Sequence, residues 1–174
     1  MKIGVISDTH GLLRPEVAQA LKGVERILHL GDVGGPSVLQ ALEQIAPVTA
    51  IRGNVDREGP CSELPDTEVV LIAGRYVYML HDLKTLHLDP AAGRFAAVLF
   101  GHTHVPNYYR RKGVLYFNPG SCGPKRFDLP VTVGLLSAGK NGGLEAEIVL
   151  LNSGLVGVTT GRTVILPNRM KRIF

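Results

Sequence analysis

Short apolar runs recur along the chain, and most of them stop at glycine or a polar residue. Ile3, Val5 and Ile6 predict a buried strand over 1–7. Pro15 stands where a helix would begin, and Val17, Ala18, Leu21 and Val24 follow at helical spacing. Residues 27–30 predict a second strand. Pro36 opens a second helix with Val38, Leu39, Leu42 and Ile45 on its apolar face, and 48–51 predict a third strand. The order strand, helix, strand, helix, strand argues a parallel sheet covered by helices.

The pattern then changes. Residues 59–65 are a loop broken by Pro60 and Pro65. Residues 68–72 and 76–80 predict a hairpin turning at Ala73-Gly74-Arg75. An irregular or helical connection over 83–95 leads to a strand at 97–100. Residues 107–111 and 114–117 flank Lys112-Gly113 as a second hairpin. Asn118-Pro119-Gly120-Ser121 reads as a tight turn. Residues 131–136 and 144–151 make a last hairpin around Lys140-Asn141-Gly142-Gly143. Nothing divides the chain into two domains, so 1–151 read as one domain. Residues 152–174 read as its basic C-terminal extension, with 163–166 as an edge strand.

A length of 174 residues, 45% hydrophobic and 20% charged, supports one adequate core. Lys and Arg (19) exceed Asp and Glu (15), and the whole excess lies in Arg162, Arg169, Lys171 and Arg172 of the acid-free stretch 148–174. The basic balance therefore belongs to the tail, and no dedicated nucleic-acid face is implied. No apolar run reaches the ~20 residues of a membrane span, and no signal-peptide pattern opens the chain. A cytoplasmic location without membrane partners is expected. Cys61 and Cys122 lack Cys-x-x-Cys spacing and read as free thiols. The tail reads as a surface extension, and its sharper reading as a subunit contact leaves a homo-oligomer open.

The chemistry collects where strands end. Asp8 and His10 follow the first strand, Asp32 the second and Asn54 the third. His81 follows the second strand of the first hairpin, and Gly101-His102-Thr103-His104 follows the 97–100 strand. Residues at i and i+2 of an extended chain point the same way. The carboxyl ends of strands in an open α/β sheet share one edge, where ligands bind. Each of these residues has a plain alternative role: Asp8 and Asp32 as turn caps, Asn54 as a left-handed turn residue, His81 as a buried hydrogen-bonded histidine. Recurrence at successive strand ends favours one metal site instead. Seven donors exceed a tetrahedral Zn²⁺ shell and suit two ions bridged by one carboxylate. Asp32, alone at its strand end, is the natural bridge. Imidazole, carboxylate and amide without thiolate suit Mn²⁺, Fe, Ni²⁺ or Zn²⁺, with Mn²⁺ first, rather than Ca²⁺ or Mg²⁺ alone. Two such ions ~3.5–4 Å apart clamp an in-line displacement at phosphorus and generate hydroxide near neutral pH.

In this order, Asp8-x-His10, Gly31-Asp32, Gly53-Asn54, His81 and Gly101-His102-Thr103-His104 resemble the calcineurin-like metallophosphoesterase signature. The length and the Asn118-Pro119-Gly120-Ser121 turn resemble its small bacterial and archaeal phosphodiesterase branch. The resemblance covers about residues 1–150. It implies a four-layer α-β-β-α sandwich of two mixed sheets, with the metals at strand carboxyl ends. It implies one ion on Asp8, His10, Asp32 and His104, the other on Asp32, Asn54, His81 and His102, and Asn54 near the substrate phosphate. Asp32, Asn54 and His102 are the candidate catalytic residues, and a small phosphoester is the expected substrate.

Two positions depart from that signature. The wider family carries a histidine after Gly-Asn, where this chain has Val55, and His-Gly where it has His81-Asp82. Asp82 reads as a support to the metals or as exposed. His29 reads as structural, His87 as surface, and Arg126 as a solvated arginine rather than a guide for an anionic substrate. A non-catalytic scaffold of the same fold, as in a eukaryotic retromer subunit, is the alternative function. A nuclease is disfavoured, because no room remains for a duplex-binding domain.

Overall fold

Two mixed sheets meet face to face across a single apolar layer. The computed structural model describes residues 1–139, 142–152 and 155–159. The first sheet comprises β1 (Lys2–Ile6), β2 (Arg26–His29), β3 (Val48–Ala50), β9 (Thr132–Ala138), β10 (Leu144–Asn152) and β11 (Leu155–Thr159) in the order β11-β10-β9-β1-β2-β3. The second comprises β4 (Thr67–Ile72), β5 (Arg75–Leu80), β6 (Ala97–Leu99), β7 (Asn107–Arg111) and β8 (Val114–Asn118) in the order β4-β5-β6-β8-β7.

Strand alternation fills the layer between them. Ile3, Val5, Leu28, Leu30 and Ile51 of the first sheet meet Val70, Ile72, Val77, Met79, Leu99 and Phe117 of the second. The other face of the first sheet, with Ile6, Ile27 and Val133, is covered by α1 (Pro15–Ala20) and α2 (Pro36–Glu43) through Val17, Val38 and Leu42. Both helices begin at proline, whose fixed φ suits the first helical position. Helix α1 stops sooner than the apolar spacing to Val24 predicts, because Gly23 turns the chain left-handed at φ 80°. Val24 is nonetheless buried.

This is the expected α/β sandwich with unequal outer layers. Over the second sheet, Val98, Phe100 and Tyr116 are covered by Leu83, Leu86 and Ala91 of an irregular connection holding one 3₁₀ turn, Leu83–Thr85. A second 3₁₀ turn, Pro60–Glu63, lies in the 59–65 loop. Strand β11 lies in the stretch expected to be a C-terminal extension and pairs antiparallel with β10. The edge strand expected at 163–166 lies outside the described residues.

Register decides where the strands deliver their last residues. In the parallel set, Ile6 lies opposite His29, and His29 opposite Ala50. In the second sheet, Met79 lies opposite Leu99, and Leu99 opposite Phe117. The carboxyl ends of β1, β2 and β3 are level with one another, as are those of β5, β6 and β8. Backbone bonds continue past them: Asp8 N–H donates to Gly31 O (3.0 Å), His10 N–H to Asp32 O (2.9 Å) and Gly101 N–H to His81 O (2.9 Å).

Phe117 is fully buried between the sheets and meets Tyr108 edge-on, with centroids 6.4 Å apart. Phe117→Ala is expected to cost about 3–5 kcal/mol, read as a lower urea midpoint at unchanged slope. A loss under about 1 kcal/mol would contradict this packing.

Candidate metal centre

Nine non-glycine residues among those described have positive φ, and five of them are Asp8, His10, Asp32, His102 and His104. Left-handed backbone is uncommon outside glycine and clusters where surrounding structure holds it in place. Each of these residues sits just past a strand end, where the turn directs its side chain into the shared edge. Neighbouring glycines permit the close approach. A Cβ on Gly53 would overlap Asp32, and one on Gly101 would overlap Ser7 Oγ.

The seven candidate donors come together in two linked groups. In the first, His104 Nε2 lies 3.3 Å from Asp8 Oδ1 and 3.4 Å from His10 Nε2. In the second, Asn54 Oδ1 lies 3.2 Å from His81 Nε2 and 2.9 Å from His102 Nδ1. Asp32 joins them: its Oδ2 lies 3.7 Å from His10 Nε2 and its Oδ1 3.4 Å from His81 Nε2. Ligand atoms of Asp8, His10 and His104 all lie within 4.8 Å of one another, as do those of Asp8, Asp32 and His81.

The His81 tautomer and an unpaired Asp8 oxygen fit a cation. His81 Nδ1 faces Leu30 O at 2.7 Å and must carry the proton that the carbonyl accepts, which turns Nε2 toward Asp32 and Asn54. Burial disfavours the charged His81 ring, but the hydrogen bond and charge of Asp32 outweigh it and raise its pKa. Burial likewise works against ionised Asp32. Bonds from His81 and the Val55 N–H prevail, with help from nearby charges, and hold it at about 2. His10 is shifted down by burial, against the pull of Asp32 and with a push from Arg126. Asp8 Oδ1 and His104 Nδ1 are buried without a hydrogen-bond partner. An orphaned carboxylate oxygen beside imidazoles is a costly arrangement that a divalent ion would relieve.

The flanking residues divide clearly. His29 is fully buried between Thr9 Oγ1 (2.9 Å) and the Gly31 N–H (3.2 Å), and burial lowers its pKa to about 4, so it is a neutral structural histidine. His87 is exposed. Asp82 caps the 3₁₀ turn through Lys84 N–H (3.0 Å) and places Oδ2 3.7 Å from His102 Nε2. The Val55 side chain is half exposed, while its N–H donates to Asp32 Oδ1 (3.0 Å). Arg126 is exposed, yet its guanidinium reaches His10 Nε2 at 3.2 Å. Cys61 and Cys122 are buried free thiols, and burial pushes Cys122 up to about 12.

Two positioning residues escaped the sequence reading. Asp56 is buried and accepts from the N–H groups of Val33 (3.0 Å), Gly34 (2.9 Å) and Gly53 (2.9 Å), tying the loop after β2 to the loop after β3. Asn118 donates to Gly101 O (2.8 Å) and Thr103 Oγ1 (3.0 Å) and accepts from Gly120 N–H (2.9 Å), bracing the turn that carries His102 and His104. Their signals were Asp56 two residues after Asn54 and Asn118 opening the tight turn.

Asp56→Ala would strand three backbone donors. An expected loss of about 3 kcal/mol or more would appear in urea denaturation. A change within about 0.5 kcal/mol, typical of an ordinary surface site, would contradict the role given to Asp56.

A family model for the calcineurin-like phosphoesterase superfamily domain matches residues 1–141. A probable metallophosphoesterase of Methanothermobacter thermautotrophicus is 40% identical over 164 residues, covering 86% of this chain and 92% of that protein. A phosphodiesterase of Methanocaldococcus jannaschii is 30% identical over 159 residues, covering 80% of this chain and 95% of that one. Among solved structures, a single-mutant Vps29 from Entamoeba histolytica superposes with a TM-score of 0.74 at 23% identity, over 91% of this chain and 97% of that one, a likeness of fold alone. The ordered strand-end donors, the two facing sheets and these matches agree, and the chain belongs to the calcineurin-like phosphoesterase superfamily.

Proposed function

We propose that this chain is a dinuclear metal-dependent phosphodiesterase acting on small phosphoesters. The observation that carries the reading is the pair of donor groups joined through one buried carboxylate, Asp32. Asp8, His10, Asp32 and His104 would hold one ion and Asp32, Asn54, His81 and His102 the other. Mn²⁺ suits this set first, with Fe, Ni²⁺ or Zn²⁺ as alternatives. Two divalent ions supply Lewis acidity at phosphorus and an activated water near neutral pH. The phosphodiesterase of Methanocaldococcus jannaschii supports the diester assignment.

The chain's own residues do the rest. Asp32 spans both groups and sets their separation. With its amide oxygen, which faces His81 and His102, turned to the second ion, Asn54 keeps its NH₂ as a donor for a phosphoryl oxygen. His102, half-buried with Asp82 at 3.7 Å, stands at the open side of the second group. Val55 has no proton to give. The absence of a general acid at this position removes help that is typically worth ~10²–10⁴-fold in rate, and that loss falls hardest on poor leaving groups.

Mn²⁺-supplemented protein is expected to hydrolyse bis(4-nitrophenyl) phosphate readily and dialkyl diesters slowly, with a steep dependence of rate on leaving-group pKa. Asp8→Ala and His104→Ala should each abolish turnover while the circular dichroism spectrum is retained. Metal-loaded wild type without turnover on any activated diester would sink the enzyme reading in favour of a scaffold. A flat leaving-group dependence, with chemistry shown to be rate-limiting, would mean that another group protonates the leaving oxygen, and Asp82 would be the first to test.

A further inference from the structure

Arg126 sits on the turn after the Asn118-Pro119-Gly120-Ser121 segment, and that turn is clamped to the centre from several sides. Ser121 Oγ donates to Asp8 O at 3.0 Å. Gly123 is pressed so closely on the backbone of Asp8 and Thr9 that a Cβ there would overlap both carbonyls. Arg14 Nε donates to Gly123 O at 3.0 Å, and Leu129 N–H closes the turn on Arg126 O at 3.1 Å. The backbone that carries Arg126 is therefore anchored to the same loop that carries Asp8 and His10.

The side chain is placed unlike the other arginines near this edge. Arg52 is committed to Asp66 through two bonds of 2.6 and 2.8 Å. Arg57 is held through its Nε on Asn54 O at 2.8 Å. Arg126 has no carboxylate partner among the described residues, and its guanidinium donates to His10 Nε2 at 3.2 Å. That nitrogen lone pair is the one His10 would offer to an ion, so guanidinium and cation compete for it. With His10 committed to an ion, Arg126 is a planar cation with its donors free, standing beside the Asp8–His10–His104 group. Paired donors in one plane match two oxygens of a phosphoryl group.

We infer that Arg126 is a substrate-binding residue that grips a non-bridging phosphoryl oxygen on the His10 side of the centre. The inference rests on the metallophosphoesterase reading of the site and adds to it a contact from outside the strand-end donors. Phosphoryl recognition then has two arms, the Asn54 amide on the His102 side and the Arg126 fork on the His10 side. Because Arg126 lies on an exposed turn, its removal is expected to leave the fold and the metal ligands intact.

The test is calorimetric titration of the full-length, Mn²⁺-loaded protein with inorganic phosphate. Arg126→Met is expected to weaken phosphate binding about ten- to a hundredfold, the range of one or two charge-assisted bonds, with the bound manganese unchanged by elemental analysis. Arg126→Lys should recover part of the loss, since an ammonium restores charge but not the fork. The neighbouring Lys125→Met should change affinity less than threefold. Equal phosphate affinity in wild type and Arg126→Met would overturn the inference alone. An equal loss in Lys125→Met would reduce Arg126 to a share of a diffuse positive field and also overturn it. Loss of manganese in Arg126→Met would assign the residue to holding His10 and overturn it as well. Wild type that holds manganese but takes up no phosphate would overturn the inference and the phosphoesterase reading together.

Discussion

Two carboxylates, Asp8 and Asp32, are almost completely removed from water, and the rest of the strand-end edge answers to that burial. An ionised carboxylate taken out of water costs several kcal/mol unless donors or cations replace the lost hydration. Asp32 is compensated by the Val55 N–H, by His81 and by His10. Asp8 is compensated only in part: Oδ2 accepts from the His102 N–H at 3.2 Å, while Oδ1 has no hydrogen bond. Of the other five candidate donors, His10, His81 and His104 bring ring nitrogens within 3.7 Å of one of these carboxylates, His102 reaches Asp8 through its backbone N–H, and Asn54 touches His81 and His102. Divalent ions are the partners that would balance this concentration of negative charge and imidazole.

Holding the carboxylates in place costs backbone strain as well as desolvation. Five left-handed residues at one edge are each worth of the order of 1 kcal/mol or more. The sheets and the loop contacts supply the compensation. Parallel register brings three strand ends level in each sheet, and backbone bonds carry the ladder past them into the turns. Asp56 and Asn118 then use side chains in place of strand partners, one for each sheet's loops. These bonds tie the irregular backbone of the edge from one loop to the next.

The strands were legible because burial imposes a period on them. Ile3 and Val5, or Val77 and Met79, mark one face of a strand whatever surrounds it. The candidate donors stood out because each follows such a run within a few residues. The bracing was not. Asp56 and Asn118 act on backbone N–H and C=O groups distant in sequence, and no spacing rule links them to those partners. Arg126 read as solvated because exposure is the ordinary state of an arginine, and only the clamped turn brings it to His10. The end of α1 at Ala20 and the place of β11 depend on a left-handed glycine and a free sheet edge, neither of which a hydrophobic pattern reports. The uneven fourth layer has the same cause: 83–95 covers Phe100 and Tyr116 with leucines at no fixed period.

The central claim is that these side chains form one centre for two ions sharing Asp32. Anomalous diffraction from crystals of the Mn²⁺-loaded protein tests it directly. Two manganese peaks about 3.5–4 Å apart, one on each side of the Asp32 carboxylate, are expected, and Asp32→Ala should weaken both. A single peak at saturation, or two peaks that do not share Asp32, would contradict the claim.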